Sequence, residues 1–306
     1  MRCWTERIPM SASIPVVAAM AILAIVACGG EGSRGGAEGG ASKSKAKPKA
    51  FEDRGTLTGR VIVKNFKDED VQVDLKGRSD KQLEFMKARA EFRPCCGGGV
   101  PQEDLDDQTW IIGQGGGLKN VVVWLSPPED SYFQLSKDDL DSEKAGWEKE
   151  KVLDQPHCQF HPHVMVVFQS YKDEEGKKQK TGQKVIAKNS ALTEHNTKIA
   201  AIGVNVLLAS SKSEGLPALD PSEKKSYEVN CNIHTWMGGH IWSFDHPFAA
   251  VTDKDGKFAI KNAPAGSEVR LMVWHEKLGR IKDGEKITIK KDEDKKLDDV
   301  SVEYKK

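Results

Sequence analysis

Short runs of alternating apolar and polar residues, each closed by glycine or proline, recur along this chain, and they point to a β-sandwich rather than a parallel α/β sheet. Residues 56–63 (TLTGRVIV) and 71–75 (VQVDL) alternate with period two, as half-buried strands do. Residues 118–125 (LKNVVVWL) and 163–168 (HVMVVF) are β-branched runs suited to central strands, and 184–187, 204–208 and 225–229 continue the series. Gly97–Gly99, Gly115–Gly117, Pro127-Pro128, Gly182 and Pro217 punctuate them, while 80–90 and 138–151 read as a helical turn or two each. The expected class is all-β. The chain has 306 residues, enough for one large domain or two modest ones. Its 46 Lys and Arg balance 46 Asp and Glu, which argues against a nucleic-acid binder, because such a surface must neutralise phosphates.

The front of the chain reads as an export signal. Arg2 and Arg7 precede an apolar stretch over 14–27, which has the length of a signal-peptide core. It ends Ile25-Val26-Ala27-Cys28, which resembles the bacterial lipobox, so residues 1–27 would be removed and Cys28 lipidated. Residues 28–50 are rich in Gly, Ser, Ala and Lys and read as a flexible tether. The expectation is a lipid-anchored protein of the cell envelope, on the periplasmic or outer-membrane side. Gly29 rather than Asp behind the cysteine favours the outer membrane.

Export makes paired or metal-bound cysteines the expectation for Cys95, Cys96, Cys158 and Cys231. Two disulfides are one reading. The other starts from residues 227–246 (YEVNCNIHTWMGGHIWSFDH), where Cys231, His234 and Met237 follow a strand at Cys-x2-His-x2-Met spacing. A thiolate, an imidazole and a thioether on one tight loop make a soft donor set suited to copper, with the Met as a weak axial ligand. Such a site needs a second histidine, and His195, before Asn196 at another strand end, is the candidate. With Cys231 on a metal at most one disulfide remains, and Cys158 is expected to pair with Cys95 or Cys96. His157, His161 and His163 flank Cys158 and form a weaker second cluster, with His163 expected beneath the copper region.

These motifs resemble the cupredoxins, the blue copper proteins related to plastocyanin and amicyanin. The resemblance runs from about residue 118 to 241 and takes in residues 158–164 (CQFHPHV) and the 245–248 (DHPF) exit. It implies a Greek-key sandwich and a type 1 copper held by His195, Cys231, His234 and Met237. It further implies that Asn196 ties the two ligand loops together. Trp236, Trp242 and Phe244 are expected to exclude water, and an exposed edge of His234 to conduct electrons. A second resemblance, to the carboxypeptidase regulatory-like (transthyretin-like) β modules, rests on residues 252–260 (TDKDGKFAI), whose Asp255-Gly256 is a hairpin signal, and on Pro264-Ala265-Gly266. The expected organisation is a sandwich over 51–247 with insertions, and an attached or interleaved module with a charged tail over 248–306.

Electron transfer to a redox protein such as a c-type cytochrome is the leading expectation. Copper storage or delivery, and a carbohydrate- or protein-binding module without redox chemistry, are the alternatives. No GxSxG, HExxH, P-loop or dinucleotide fingerprint marks an enzyme.

Overall fold

The computed structural model describes residues 46–67, 80–97 and 100–304, and the account below concerns these. The export segment, Cys28, most of the tether and the expected strand at 71–75 lie outside the described residues. The described residues form one compact unit.

The first strands are β1 (Lys47–Ala50), β2 (Asp53–Lys64), β3 (Val122–Ser126), β4 (Ser131–Gln134) and β5 (Glu150–Asp154). Next come β6 (Val164–Val167), β7 (Ser170–Lys172), β8 (Lys178–Lys180), β9 (Lys184–Asn189) and β10 (His195–Ile199). They are followed by β11 (Val204–Leu208), β12 (Lys212–Leu216), β13 (Tyr227–Asn230), β14 (Gly238–Ser243) and β15 (Ala249–Val251). The series ends with β16 (Lys257–Ala265), β17 (Glu268–His275), β18 (Gly279–Thr288), β19 (Asp294–Lys296) and β20 (Val300–Glu303). Helix is confined to short pieces, among them residues 80–88, Arg93–Cys96 and Lys137–Leu140. The class is all-β.

Four sheets stack in layers, and the alternation within single strands decides the stacking. In β3, Val123 and Leu125 face a core shared with Leu57, Val61 and Val63 of β2, Phe258 and Ile260 of β16, and Val269, Leu271 and Val273 of β17. Their neighbours Val122 and Trp124 face the other way, into a core with Met272, Val164, Trp242 and Phe244. The same period-two switch recurs in β6 and β14. Met165, Val167 and Ile241 turn from that aromatic layer toward a third core with Leu153, Val185, Ala187, Ile199, Leu216 and Val229. The order is therefore β16-β2-β19 with β20 beside β2, then β15-β3-β17-β18, then β11-β10-β13-β14-β6, then β12-β9-β5. In the two middle sheets β3, β6 and β14 are covered on both faces, whereas β11, β13 and β18 keep an exposed face.

Two expectations change, and the strands on either side of position 247 interleave. Lys47–Ala50 is a strand paired parallel with β4, inside the span 28–50 read as a flexible tether. Strands from either side of position 247 share sheets, because β2 pairs with β16, β19 and β20, and β3 lies between β15 and β17. Asp255-Gly256 does form a tight turn, with Asp253 N–H donating to the Lys257 carbonyl and Gly256 in the left-handed region at φ 75°. It is not the tip of a hairpin, however, because β15 joins β3 while β16 joins β2. The turn packs so closely that a Cβ at Gly256 would stand 2.3 Å from the Val61 carbonyl oxygen.

Candidate metal centre

The centre forms where neighbouring strands of the five-stranded sheet end. β10 pairs with β13 at Lys198 and Asn230, which sets His195 and the loop after Asn230 at one edge. That loop closes on itself: Asn230 pairs with Gly238, Met237 N–H donates to the His234 carbonyl at 2.9 Å, and Cys231 N–H donates to the Met237 carbonyl at 3.4 Å. One tight turn thus carries Cys231 and His234, with Met237 at its end.

The donor atoms of His195, Cys231 and His234 all lie within 4.8 Å of one another, and the three residues are buried. Cys231 Sγ is 3.8 Å from His234 Nδ1, and the two imidazole rings stand 4.6 Å apart between centroids. Asn196 bridges the loops as expected of a tie: its Oδ1 accepts from Asn232 N–H at 2.7 Å and from the Cys231 thiol at 3.3 Å, and its Nδ2 donates to Asn205 Oδ1 at 2.6 Å. Met237 is buried in the same core as Cys231.

His195 is the informative residue. It is fully buried, and neither ring nitrogen has a hydrogen-bond partner. An orphaned buried imidazole is costly unless something else satisfies it. Burial, then the neighbouring His234, push its pKa down to about 3, and burial pushes His234 down to about 4. Both rings are therefore neutral at pH 7 and can offer lone pairs, as metal ligands must. Donor chemistry and burial both fit a soft or borderline metal ion.

The surroundings differ from expectation at two points. His234 has no exposed edge: it is fully buried, with Phe85 edge-on at 5.3 Å, Trp236 at 5.2 Å and Cys96 Sγ 3.7 Å from its Nε2. The cover comes from residues 80–97, whose Gln82 amide donates to the Cys96 carbonyl and whose Met86, Cys95 and Cys96 join the Cys231 core. Trp242 and Phe244 do not shield the centre. They face the aromatic layer against Trp124, at 5.0 and 5.2 Å, because Ile241 takes the face of β14 toward the Cys231 core. Of the three expected aromatics only Trp236 meets a ligand, and its indole N–H donates to the Cys158 carbonyl at 3.1 Å.

Cys96 is bonded to Cys158, one of the two pairings open to the sequence; Cys95 and Cys231 lie outside that bridge. The second histidine cluster does not assemble around Cys158. Asp104 engages both His157, at 2.5 Å, and His161, at 2.9 Å. His163 instead contacts Glu276, whose Oε2 is 3.6 Å from His240 Nε2. His163, His240 and Glu276 line a cavity of about 340 Å³ together with Trp236 and Met237. His246 stacks between Phe244 and Phe248. Sequence reading missed Phe85, Cys96 as a neighbour of His234, and Glu276. The adjacent cysteines before the Gly run, one of them bridged to Cys158, were the signal that this segment comes near the candidate loop.

No family model matches the chain, and no curated protein does. Among solved structures the chain is similar to a reduced-state amicyanin mutant, at 15% identity and a TM-score of 0.24, over 31% of this chain and 81% of that one. It is also similar to a copper-containing nitrite reductase from Thermus scotoductus SA-01, at 14% identity and a TM-score of 0.24, over 31% of this chain and 22% of that one. Likeness of this extent adds nothing to the geometry, and the reading of the centre rests on its own side chains.

Proposed function

We propose that the protein is an electron-transfer protein with a single type 1 copper centre, which His195, Cys231 and His234 would hold with Met237 as a weaker fourth donor. The observation that carries this reading is His195, a buried neutral imidazole with both nitrogens orphaned, beside a thiol and a second neutral imidazole. When bound, copper supplies a one-electron couple. The chain's own part is to fix the donors: strand ends set their spacing, Asn196 ties the loops, and the 80–97 cover keeps water from His234. With His234 covered, Trp236 is the route outward, half-buried and edge-on to the ligand ring. In this reading the protein is no enzyme; it meets a redox partner such as a c-type cytochrome while anchored through Cys28 in the cell envelope.

The test is the absorption spectrum of copper(II)-loaded protein. An intense visible thiolate-to-copper band is expected, and Cys231→Ser should abolish it, because a hydroxyl is a poor, hard substitute. A parent without the band, or a variant that keeps it, refutes the assignment.

A further inference from the structure

His234 stands between the Cys231 thiol and the Cys96–Cys158 pair. Its Nδ1 is 3.8 Å from Cys231 Sγ, and its Nε2 is 3.7 Å from Cys96 Sγ. Cys96, Cys158 and His234 are all buried, and their donor atoms lie within 4.8 Å of one another, as tightly grouped as those of the first centre. As the disulfide, Cys96 and Cys158 have no thiolate to offer. We infer that reduction of this disulfide opens a second metal site, in which Cys96 and Cys158 thiolates and His234 Nε2 bind copper(I).

Two thiolates and one imidazole make a soft, three-donor set matched to a monovalent copper ion. Reduction by a dithiol breaks the Cys96–Cys158 bond and converts the reductant to its own disulfide, and its two electrons and two protons end as the Cys96 and Cys158 thiols. Copper(I) then displaces those protons to solvent on binding.

The geometry also makes the two sites exclusive. A neutral imidazole has one lone pair and one N–H. With Nδ1 on the first metal, the Nε2 proton points at the Cys96 sulfur; with Nε2 on the second, the proton sits at Nδ1 and faces Cys231. Copper would pass from one face of a single ring to the other, so the oxidised protein carries electrons and the reduced protein sequesters the ion. This exchange rests on the copper reading of the first centre, whereas the second site can be tested without it.

The experiment titrates copper(I) into metal-free Cys231→Ser against a bicinchoninate competitor, before and after treatment with tris(2-carboxyethyl)phosphine. Alkylation and intact mass count the thiols. Reduction should add two alkylatable thiols and tighten copper(I) binding about a hundredfold, and X-ray absorption should report two sulfur donors. Adding Cys158→Ser should remove the gain although Cys95 and Cys96 remain. Should that double variant fail to fold, Cys231→Ser measured before and after reduction carries the test alone. Affinity unchanged by reduction, or a disulfide that resists the phosphine in the folded protein, overturns the site. The visible band of the unreduced parent is read separately, so failure of the first centre and failure of the second give different results.

Discussion

Acid should weaken the metal-free protein through His275, a residue outside the metal centre. This ring is fully buried against Trp110, at 4.9 Å between centroids. Burial pushes its pKa down to about 4, with the Glu276 carboxylate and the Thr109 backbone pulling weakly the other way. In the unfolded chain the group titrates near 6.5. Above that pH both states are neutral and the group contributes nothing. Below it the unfolded chain takes up a proton that the folded protein refuses, so stability falls by about 1.4 kcal/mol per pH unit until the folded group titrates near its own value. Integrated from about pH 7.5 to about pH 5, the loss is about 2 kcal/mol. Other buried groups titrate in the same window, His240 and the two ligand imidazoles among them, and their contribution is removed by comparison with His275→Gln. Urea unfolding of chelator-treated parent and variant at those two pH values gives the difference. The variant should lose about 2 kcal/mol less than the parent; equal losses, to within about 0.5 kcal/mol, would refute the assignment of the acid sensitivity to this ring.

Met237→Gln should keep the metal but lower the midpoint potential by more than about 60 mV, a tenfold change in a one-electron equilibrium, because an oxygen donor favours copper(II); voltammetry of parent and variant decides it. Trp242→Ala should cost about 3–5 kcal/mol of stability by emptying the aromatic layer, yet leave the visible band where it is, since that layer does not touch the ligands; a shifted band would place Trp242 at the metal after all. Cys28→Ser should shift the protein from the membrane fraction to the soluble fraction; partitioning like the parent would disprove lipid anchoring.

The grouping of the candidate donors was legible because it is local: Cys231, His234 and Met237 sit on one turn, and Asn196 follows His195 directly. The strands were legible for the same reason, since alternation is a property of a few adjacent residues. Pairing between distant segments was not. The turn at Asp255-Gly256 is written in two residues, but whether its flanking strands join each other or different sheets depends on β2 and β3, far away in sequence. The cover over His234 was missed on the same ground: residues 80–90 announce a helical turn and say nothing about what Phe85 will touch. The misplacement of Trp242 was avoidable, because Ile241 and Trp242 are adjacent in a strand and must face opposite ways.

The pairing of β2 has a consequence for the order of assembly. Its neighbours are β16, β19 and β20, and Val61 sits opposite Val300. A contact that closes nearly the whole chain forms late, since the entropy of so long a loop must be met before any strand bond compensates it. Until residues 294–303 have emerged, the edge of β2 that pairs with β19 and β20 lacks its neighbours, and a nascent chain carries it unpaired. A protein wired this way gains little from folding while still being made. Ribosome-stalled fragments ending before position 294 should therefore be markedly more sensitive to protease than the full-length chain.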